Sequence, residues 1–268
     1  MRFAVISDIH NNAEAFRTTL EDIEQNQVEK IICLGDLVGY GPNPIECVDM
    51  MLDLRKDKLE ACLCGNHDQA AMYGPDGFND IAEEALLWTR DMLESEKGSK
   101  FDVRWDFIGN SPREYRKGKF LFVHGSPRSP INEYVFDDDV TDLDKMSRLF
   151  ALVPQYCFMG HTHVPGVFIQ EAPNSFDYLS YRDLERQRQC RYPLTEKKLM
   201  INVGSVGQPR DKDPRSCYVI VQYDDSSSDN YIEFRRVKYD VDKTIKDIEN
   251  EPRLNIFPFL SRRLKEGR

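Results

Sequence analysis

Five apolar runs in this chain end at residues that hold cations or move protons, and that recurrence limits the fold more than any other feature. Ile31-Ile32-Cys33-Leu34 runs into Gly35-Asp36. Such a run reads as a buried parallel strand that delivers its last side chain into a crevice at a sheet's carboxyl edge. Ala4-Val5-Ile6 precedes Ser7-Asp8-Ile9-His10, and Ala61-Cys62-Leu63-Cys64 precedes Gly65-Asn66-His67-Asp68. Phe120-Leu121-Phe122-Val123 precedes His124, and Tyr156-Cys157-Phe158-Met159 leads into Gly160-His161-Thr162-His163. All 5 histidines of the 268-residue chain lie in these endings. Random placement would rarely put each of them after a predicted strand.

Between these endings the chain alternates. Residues 12–25 place Ala13, Phe16, Leu20 and Ile23 at helical spacing before a strand at 28–34, a unit with parallel pairing and a right-handed crossover. The Gly/Pro loop Leu37-Val38-Gly39-Tyr40-Gly41-Pro42-Asn43-Pro44 leads to a helix over 45–54. A loop at 72–79, with Gly74-Pro75-Asp76-Gly77, sits where it could close over a substrate, and 80–97 reads as an amphipathic helix. Asp137-Asp138-Asp139 before a helix at 142–152 reads as N-terminal helix charge rather than a metal site. Residues 171–198 are polar and locally basic, without a clean strand pattern, as in a surface excursion or a substrate cap. Strands at 217–223 and 231–239 alternate apolar with polar residues, an antiparallel hairpin that makes the sheets mixed. A helix at 241–249 and a tail with Phe257, Phe259 and the basic residues Arg262, Arg263 and Lys265 close the chain. That tail could dock on its own domain or on a neighbour.

An apolar content of 40% suffices for one α/β domain over residues 1–268. The formal charge of -10 disfavours a polymeric nucleic-acid partner, because a phosphate backbone would be repelled. The 7 cysteines are odd in number and mostly inside apolar runs, which suits reduced core thiols. The first strand follows Met1-Arg2 directly, leaving no room for a signal segment, and no run has membrane-spanning length. A cytoplasmic protein without a membrane partner is therefore expected.

Two neighbouring divalent cations need a carboxylate that bridges them, and Asp36 fits that role. Mixed imidazole and oxygen shells suit manganese, iron, nickel, cobalt or zinc, with manganese the first expectation. Asp8 and His10, two apart on a segment leaving a strand, can turn toward one ion. His161 and His163 can serve different ions, Asn66 offers an amide oxygen, and His124 a further imidazole.

With Asp8/His10, Gly35-Asp36, Gly65 to Asp68, His124 and Gly160 to His163 in this order, the chain resembles the calcineurin-like metallophosphoesterases. It is most like the small bacterial and archaeal phosphodiesterase-type members, through Val38-Gly39-Tyr40-Gly41-Pro42, His124-Gly125-Ser126-Pro127 and Gly204-Ser205-Val206-Gly207-Gln208-Pro209-Arg210. The resemblance implies a four-layer α/β sandwich, two mixed sheets flanked by helices. It also implies one metal held by Asp8, His10, Asp36 and His163, and another by Asp36, Asn66, His124 and His161. His67 would meet the phosphate or leaving group, oriented by Asp68. Asn11 stands where relatives usually have Gly, a mild change because Asn also tolerates left-handed backbone, and Val203 where many have Pro, a change that could loosen that loop without touching a ligand.

The activity implied is in-line attack on phosphorus by a metal-bridging hydroxide, on phosphodiesters or phosphomonoesters, including nucleotides. Arg128, Arg210 and Arg215 are candidates for binding distal phosphates, since guanidinium forks match phosphate oxygens. A dinucleoside polyphosphate hydrolase is the second expectation and a protein serine/threonine phosphatase the third. A non-catalytic scaffold of the same fold would not need His67. Oligomeric state is left open.

Overall fold

The structure, a computed structural model, describes residues 1–96 and 100–268. Its first half alternates strand and helix: β1 (Arg2–Ile6), α1 (Ala13–Gln25), β2 (Lys30–Cys33), α2 (Pro44–Leu54), β3 (Leu59–Cys62) and α3 (Asn66–Tyr73). Then come α4 (Asp80–Ser95), α5 (Phe101–Gly109), β4 (Glu114–Lys117), β5 (Phe120–Val123), α6 (Leu143–Leu152) and β6 (Tyr156–Met159). The second half is richer in strands: β7 (Gly166–Ala172), β8 (Ser175–Ser180), α7 (Tyr181–Arg188), β9 (Arg191–Pro193), β10 (Leu199–Asn202), β11 (Ser216–Gln222) and β12 (Tyr231–Val237). Three helices end the chain: α8 (Val241–Asn250), α9 (Pro252–Asn255) and α10 (Pro258–Glu266).

The strands form two six-stranded mixed sheets, ordered β3-β2-β1-β11-β12-β9 and β4-β5-β6-β10-β7-β8. Side-chain alternation along each strand makes the layers. On β1, Phe3 and Val5 enter the core between the sheets, against Phe120, Phe122 and Phe158. Their neighbours Ala4 and Ile6 face outward onto Phe16 and Ile23 of α1 and Val48 and Met51 of α2. On the second sheet Leu121, Cys157 and Met159 face outward onto Met146, Leu149 and Phe150 of α6. Helix, sheet, sheet and helix are thus stacked, as the resemblance implied. A one-residue slip of any central strand would exchange its two apolar faces, so the register is strongly fixed.

β1, β2 and β3 run parallel, as do β5, β6 and β10, so five of these strands bring their carboxyl ends to the sites read from the sequence. The β11–β12 hairpin is antiparallel as expected. Asp142 caps α6, accepting from the Lys145 N–H at 3.0 Å, and Asp139 accepts from the Phe136 N–H at 2.7 Å. These acidic residues therefore act as helix-start charges. The helix expected over 80–97 is α4, ending at Ser95; its predicted last residue, Lys97, lies outside the described residues. The 171–198 stretch is more regular than its composition suggested, because β8 and β9 are edge strands with mostly exposed or half-buried faces. Such edges show little of the alternation that marks a buried strand. Among the described residues no helix is long and apolar enough to cross a membrane.

The sequence reading gave no element to α5, which is tied down electrostatically. Arg104, 2% exposed, donates to both oxygens of Asp49 on α2 at 2.8 and 2.9 Å and to Glu96 at 3.0 Å. Asp49→Ala would leave that guanidinium with only Glu96. Breaking such a pair is expected to lower the unfolding free energy by about 2–3 kcal/mol, less than for a fully isolated buried charge. Denaturant titration measures this, and an unchanged midpoint would contradict it.

Candidate metal centre

The segments that follow β1 and β2 are laced together by backbone bonds. The Asp8 N–H donates to the Gly35 carbonyl at 3.0 Å, His10 N–H to Asp36 at 3.0 Å, and Asn11 N–H to Leu37 at 3.1 Å. The late block 204–210 closes on the same segment: Ser205 Oγ donates to the Asp8 carbonyl at 2.8 Å, and Gly207 N–H to that carbonyl at 2.9 Å. This lacing holds Asp8, His10, Asp36, His161 and His163 at φ values of 55°, 48°, 51°, 67° and 61°. Left-handed backbone costs a non-glycine residue about 1–2 kcal/mol. Five such residues converging on one place are what strain stored at a functional site looks like. Asn11, at φ 53°, adopts the conformation for which a glycine would be expected.

The nominated ligands converge. Asp8, His10, Asp36 and His163 each offer an atom within 4.8 Å of the others, and so do Asp36, His124 and His161. Asp36 belongs to both groups through one oxygen: its Oδ2 lies 3.5 Å from His10 Nε2 and 3.4 Å from His124 Nε2. Its other oxygen accepts the His67 backbone N–H at 2.8 Å, which fixes the carboxylate's rotation. His163 Nε2 lies 3.1 Å from Asp8 Oδ1, and Asn66 Oδ1 lies 3.1 Å from His124 Nε2. All of the nominated ligands except Asn66 are at least nine-tenths buried.

The outer nitrogens of the histidines decide what the inner ones can do. His10 Nδ1 meets the Val38 carbonyl at 3.2 Å, His163 Nδ1 the Gln208 carbonyl at 2.6 Å, and His161 Nε2 the Asn132 carbonyl at 3.3 Å. A carbonyl only accepts, so these nitrogens carry the protons and the inner nitrogens present bare lone pairs. Two such lone pairs, His10 Nε2 and His163 Nε2, face each other at 3.1 Å, and His161 Nδ1 presents a third toward the His124 ring, 3.1 Å from its Nε2. Facing lone pairs repel unless a cation lies between them. Ligand bonds of about 2.1 Å at ordinary angles put donor atoms roughly 3.0–3.4 Å apart. The donor set therefore fits divalent metal ions.

Protonation follows the same logic. Burial opposes the Asp8 charge, but the His163 ring beside it holds the carboxyl below the ordinary range. Asp36 is likewise held down, mainly by His124, against its burial. Burial pushes His10 and His163 down, and His161 down to about 3, so these rings are neutral and able to ligate. His124 goes up to about 9, because Asp36 beside it outweighs its burial.

Two glycines are there for close approach. A Cβ on Gly65 would lie 2.1 Å from Asp36 Oδ1, and one on Gly207 1.8 Å from the Ile9 carbonyl oxygen. Gly65→Ala must displace the shared carboxylate. We expect metal affinity to fall about 10–100-fold, the loss typical when a ligand's support is removed. Metal titration followed by calorimetry measures it, and an unchanged affinity would mean that Asp36 is free to move without consequence.

His67 lies at the rim of this cluster, in contact with Tyr40 (ring centroids 4.6 Å apart) and Phe78 (5.0 Å). Burial pushes its pKa down to about 4. The expected orientation by Asp68 is not what the structure shows. Asp68 Oδ2 accepts the Gly65 N–H at 2.9 Å and Oδ1 the Val38 N–H at 3.2 Å, while His67 Nδ1 is buried without a hydrogen-bond partner. The reason is local: Asp68 is the third residue of α3, from which a carboxylate reaches back to the backbone before the helix. Burial and the Asp36 charge push Asp68 up to about 7.

Of the arginines read as phosphate binders, two are committed elsewhere. Arg128 pairs with Glu133, and Arg215 with Asp213, and neither lines the clefts beside the cluster. Arg210 does face it, and its charge depresses both His67 and His163. A cleft of about 270 Å³ opens over Asn66, His67 and His161 and is lined also by Tyr40, Phe78 and Tyr134. Residues 76–79 contribute to its wall, as a loop near the substrate would; Met72 and Tyr73 belong to α3. Among the described residues of 171–198 none does. A separate surface cleft of about 480 Å³ between β3 and α5 carries none of the cluster's residues.

Sequence reading missed Tyr134, whose ring stacks on His161 at 3.7 Å, and Gln208, which bonds His163. Tyr134 lies in a loop with no motif of its own. Gln208 lay inside a quoted block, and only the fold shows where its carbonyl points.

Fold and cluster together define a class, the α/β-sandwich metallohydrolases. The calcineurin-like phosphoesterase superfamily domain matches residues 1–226. An uncharacterized protein from Methanocaldococcus jannaschii is 37% identical over 254 residues, 91% of this chain and 90% of that one. A metallophosphoesterase from Sphaerobacter thermophilus superposes with a TM-score of 0.79 at 30% identity, covering 100% of this chain and 99% of that one. A hypothetical protein from Pyrococcus horikoshii shares the fold, with a TM-score of 0.71 at 17% identity over 100% and 98% of the chains. This chain belongs to the calcineurin-like phosphoesterase superfamily, and its activity is the hydrolysis of phosphate esters.

Proposed function

We propose that this protein hydrolyses small phosphate esters, diesters or monoesters including nucleotides, with two divalent metal ions. The observation that carries the reading is Asp36 Oδ2, one buried oxygen placed 3.5 and 3.4 Å from imidazoles of two separate donor groups. Asp8, His10, Asp36 and His163 would hold one ion, and Asp36, Asn66, His124 and His161 the other. When bound, such a pair supplies an acidified water as nucleophile and offsets the charge on phosphoryl oxygens. The protein's own groups do the rest. His67, on the cleft floor, offers a ring N–H to the leaving oxygen. Phe78 and Tyr134 wall off water on either side, and Arg210 adds positive charge at the cluster's edge. Mixed nitrogen and oxygen donors favour first-row metals, with manganese our first choice and iron, nickel, cobalt or zinc accepted. Seven free cysteines, five of them buried, suit a reducing compartment and hence the cytoplasm.

The test uses chelator-stripped protein with and without added manganese, on bis-p-nitrophenyl phosphate and p-nitrophenyl phosphate. Hydrolysis that appears only with metal is expected. The ratio of the two rates then sorts diester from monoester preference. If none of the five metals restores cleavage of either compound, the protein is a scaffold and the reading fails.

A further inference from the structure

Beyond residue 226, where the family match ends, the chain folds back to the cluster's rim. Leu260 and Leu264 of α10 pack with Tyr40 and with Ala82, Ala85 and Trp88 of α4, which settles the tail on its own chain. This docking brings Arg263 beside Arg210. Both guanidinium groups donate to a single oxygen, Gln208 Oε1, at 2.8 Å from Arg210 Nη2 and 3.3 Å from Arg263 Nη1. Each guanidinium carbon lies 5.9 Å from the centre of the Tyr40 ring.

Neither arginine has a carboxylate partner among the described residues, and the Nε of each is buried without a hydrogen-bond partner. Comparable half-buried arginines in this protein are neutralised: Arg215 by Asp213, Arg235 by Asp22. The contrast matters because two like charges in contact destabilise each other, and burial together with Arg210 pulls the Arg263 pKa down. A clamp for α10 would gain from a glutamate at position 208. The neutral amide of Gln208 orients both forks yet leaves their charge uncompensated, an arrangement that an incoming anion completes.

The pair also lies where such an anion would be part of the substrate. The Arg210 backbone N–H donates to the His163 carbonyl at 3.2 Å. Arg263 lines a cleft of about 370 Å³ with Phe259 and Ile81, and this cleft shares Tyr40 and Asn79 with the one over His67. We propose that Arg210 and Arg263 form a subsite for a second phosphate group adjacent to the one held at the metal cluster. The substrate class is then a nucleoside diphosphate or longer polyphosphate ester. This rests on the phosphoesterase reading and narrows it.

The probes are adenosine 5′-(α,β-methylene)diphosphate, which resists cleavage between its phosphates, and adenosine 5′-monophosphate. Their dissociation constants are measured by calorimetry on manganese-loaded protein with excess metal. The wild type is expected to bind the diphosphate about tenfold or more tighter, as charge-assisted bonds allow. Arg263→Gln is expected to bring the ratio close to one. Arg263→Lys should keep part of it, retaining charge but not the fork. Thermal unfolding of both variants separates a lost subsite from a lost fold. Equal affinities in the wild type, or an unchanged ratio in a folded Arg263→Gln, would show that the pair only anchors α10. Hydrolysis of p-nitrophenyl phosphate by the same preparation keeps the two readings apart. Cleavage without discrimination sinks the subsite alone, whereas discrimination without cleavage sinks the esterase reading and leaves the subsite standing.

Discussion

Asp36→Asn is expected to lower hydrolysis by roughly a thousandfold or more, about 4 kcal/mol of barrier, and to leave less than one full ion per site. The substitution is nearly isosteric. The remaining amide oxygen can still accept the His67 N–H that Asp36 Oδ1 accepts at 2.8 Å, so α3 should keep its place. What changes is Oδ2, which lies between His10 and His124 at 3.5 and 3.4 Å. An NH₂ group there points donor hydrogens where two cations would share an anion. Their mutual repulsion is then offset by nothing, and occupancy of at least one site must fall. Elemental analysis after desalting gives the metal content, turnover gives the rate, and circular dichroism checks the fold. Full metal content with turnover within tenfold of the wild type would show that Asp36 does not bridge.

What the sequence made legible was local. A strand of four apolar residues with a polar ending is visible in one stretch of chain, so Asp8, Asp36, His124 and His161 could be placed at strand ends before any pairing was known. Left-handed backbone at Asn11 was legible only through the resemblance, from the Gly that relatives carry there. Relations between distant segments could not be read this way. Asp68 follows His67 directly in sequence, yet the turn of α3 sends its carboxylate to Gly65 and Val38. Arg128, Arg210 and Arg215 look alike in sequence, and only the placement of Glu133 and Asp213 separates the two neutralised ones from the third. Arg263 stood in a basic tail end that reads like any solvated terminus. Its approach to Arg210 depends on Leu260 and Leu264 finding the α4 surface, some 170 residues away in sequence. Edge strands β8 and β9 were hidden for a related reason: alternation appears only where one face is buried.

His67→Ala is expected to keep both metal ions and to lower hydrolysis about 10²–10⁴-fold, the usual worth of a positioned proton donor. His67 is not among the donor groups that converge on Asp8 and Asp36, so removing its ring leaves those distances untouched. Its place on the cleft floor, between Tyr40 and Phe78, puts it against the departing part of a substrate rather than among the ligands. With its pKa pushed down to about 4 by burial, the ring of the free protein is neutral near pH 7. It acts there as a hydrogen-bond donor unless a bound phosphate dianion raises the pKa. This makes a second, sharper expectation. A p-nitrophenolate ion leaves without help, whereas an alkoxide needs a proton. The loss in His67→Ala should therefore be larger for an alkyl phosphate than for p-nitrophenyl phosphate. Equal losses on both substrates, with metal content intact, would make His67 a binding group for phosphoryl oxygens and assign leaving-group protonation to solvent. Unchanged turnover on both would remove it from the reaction altogether.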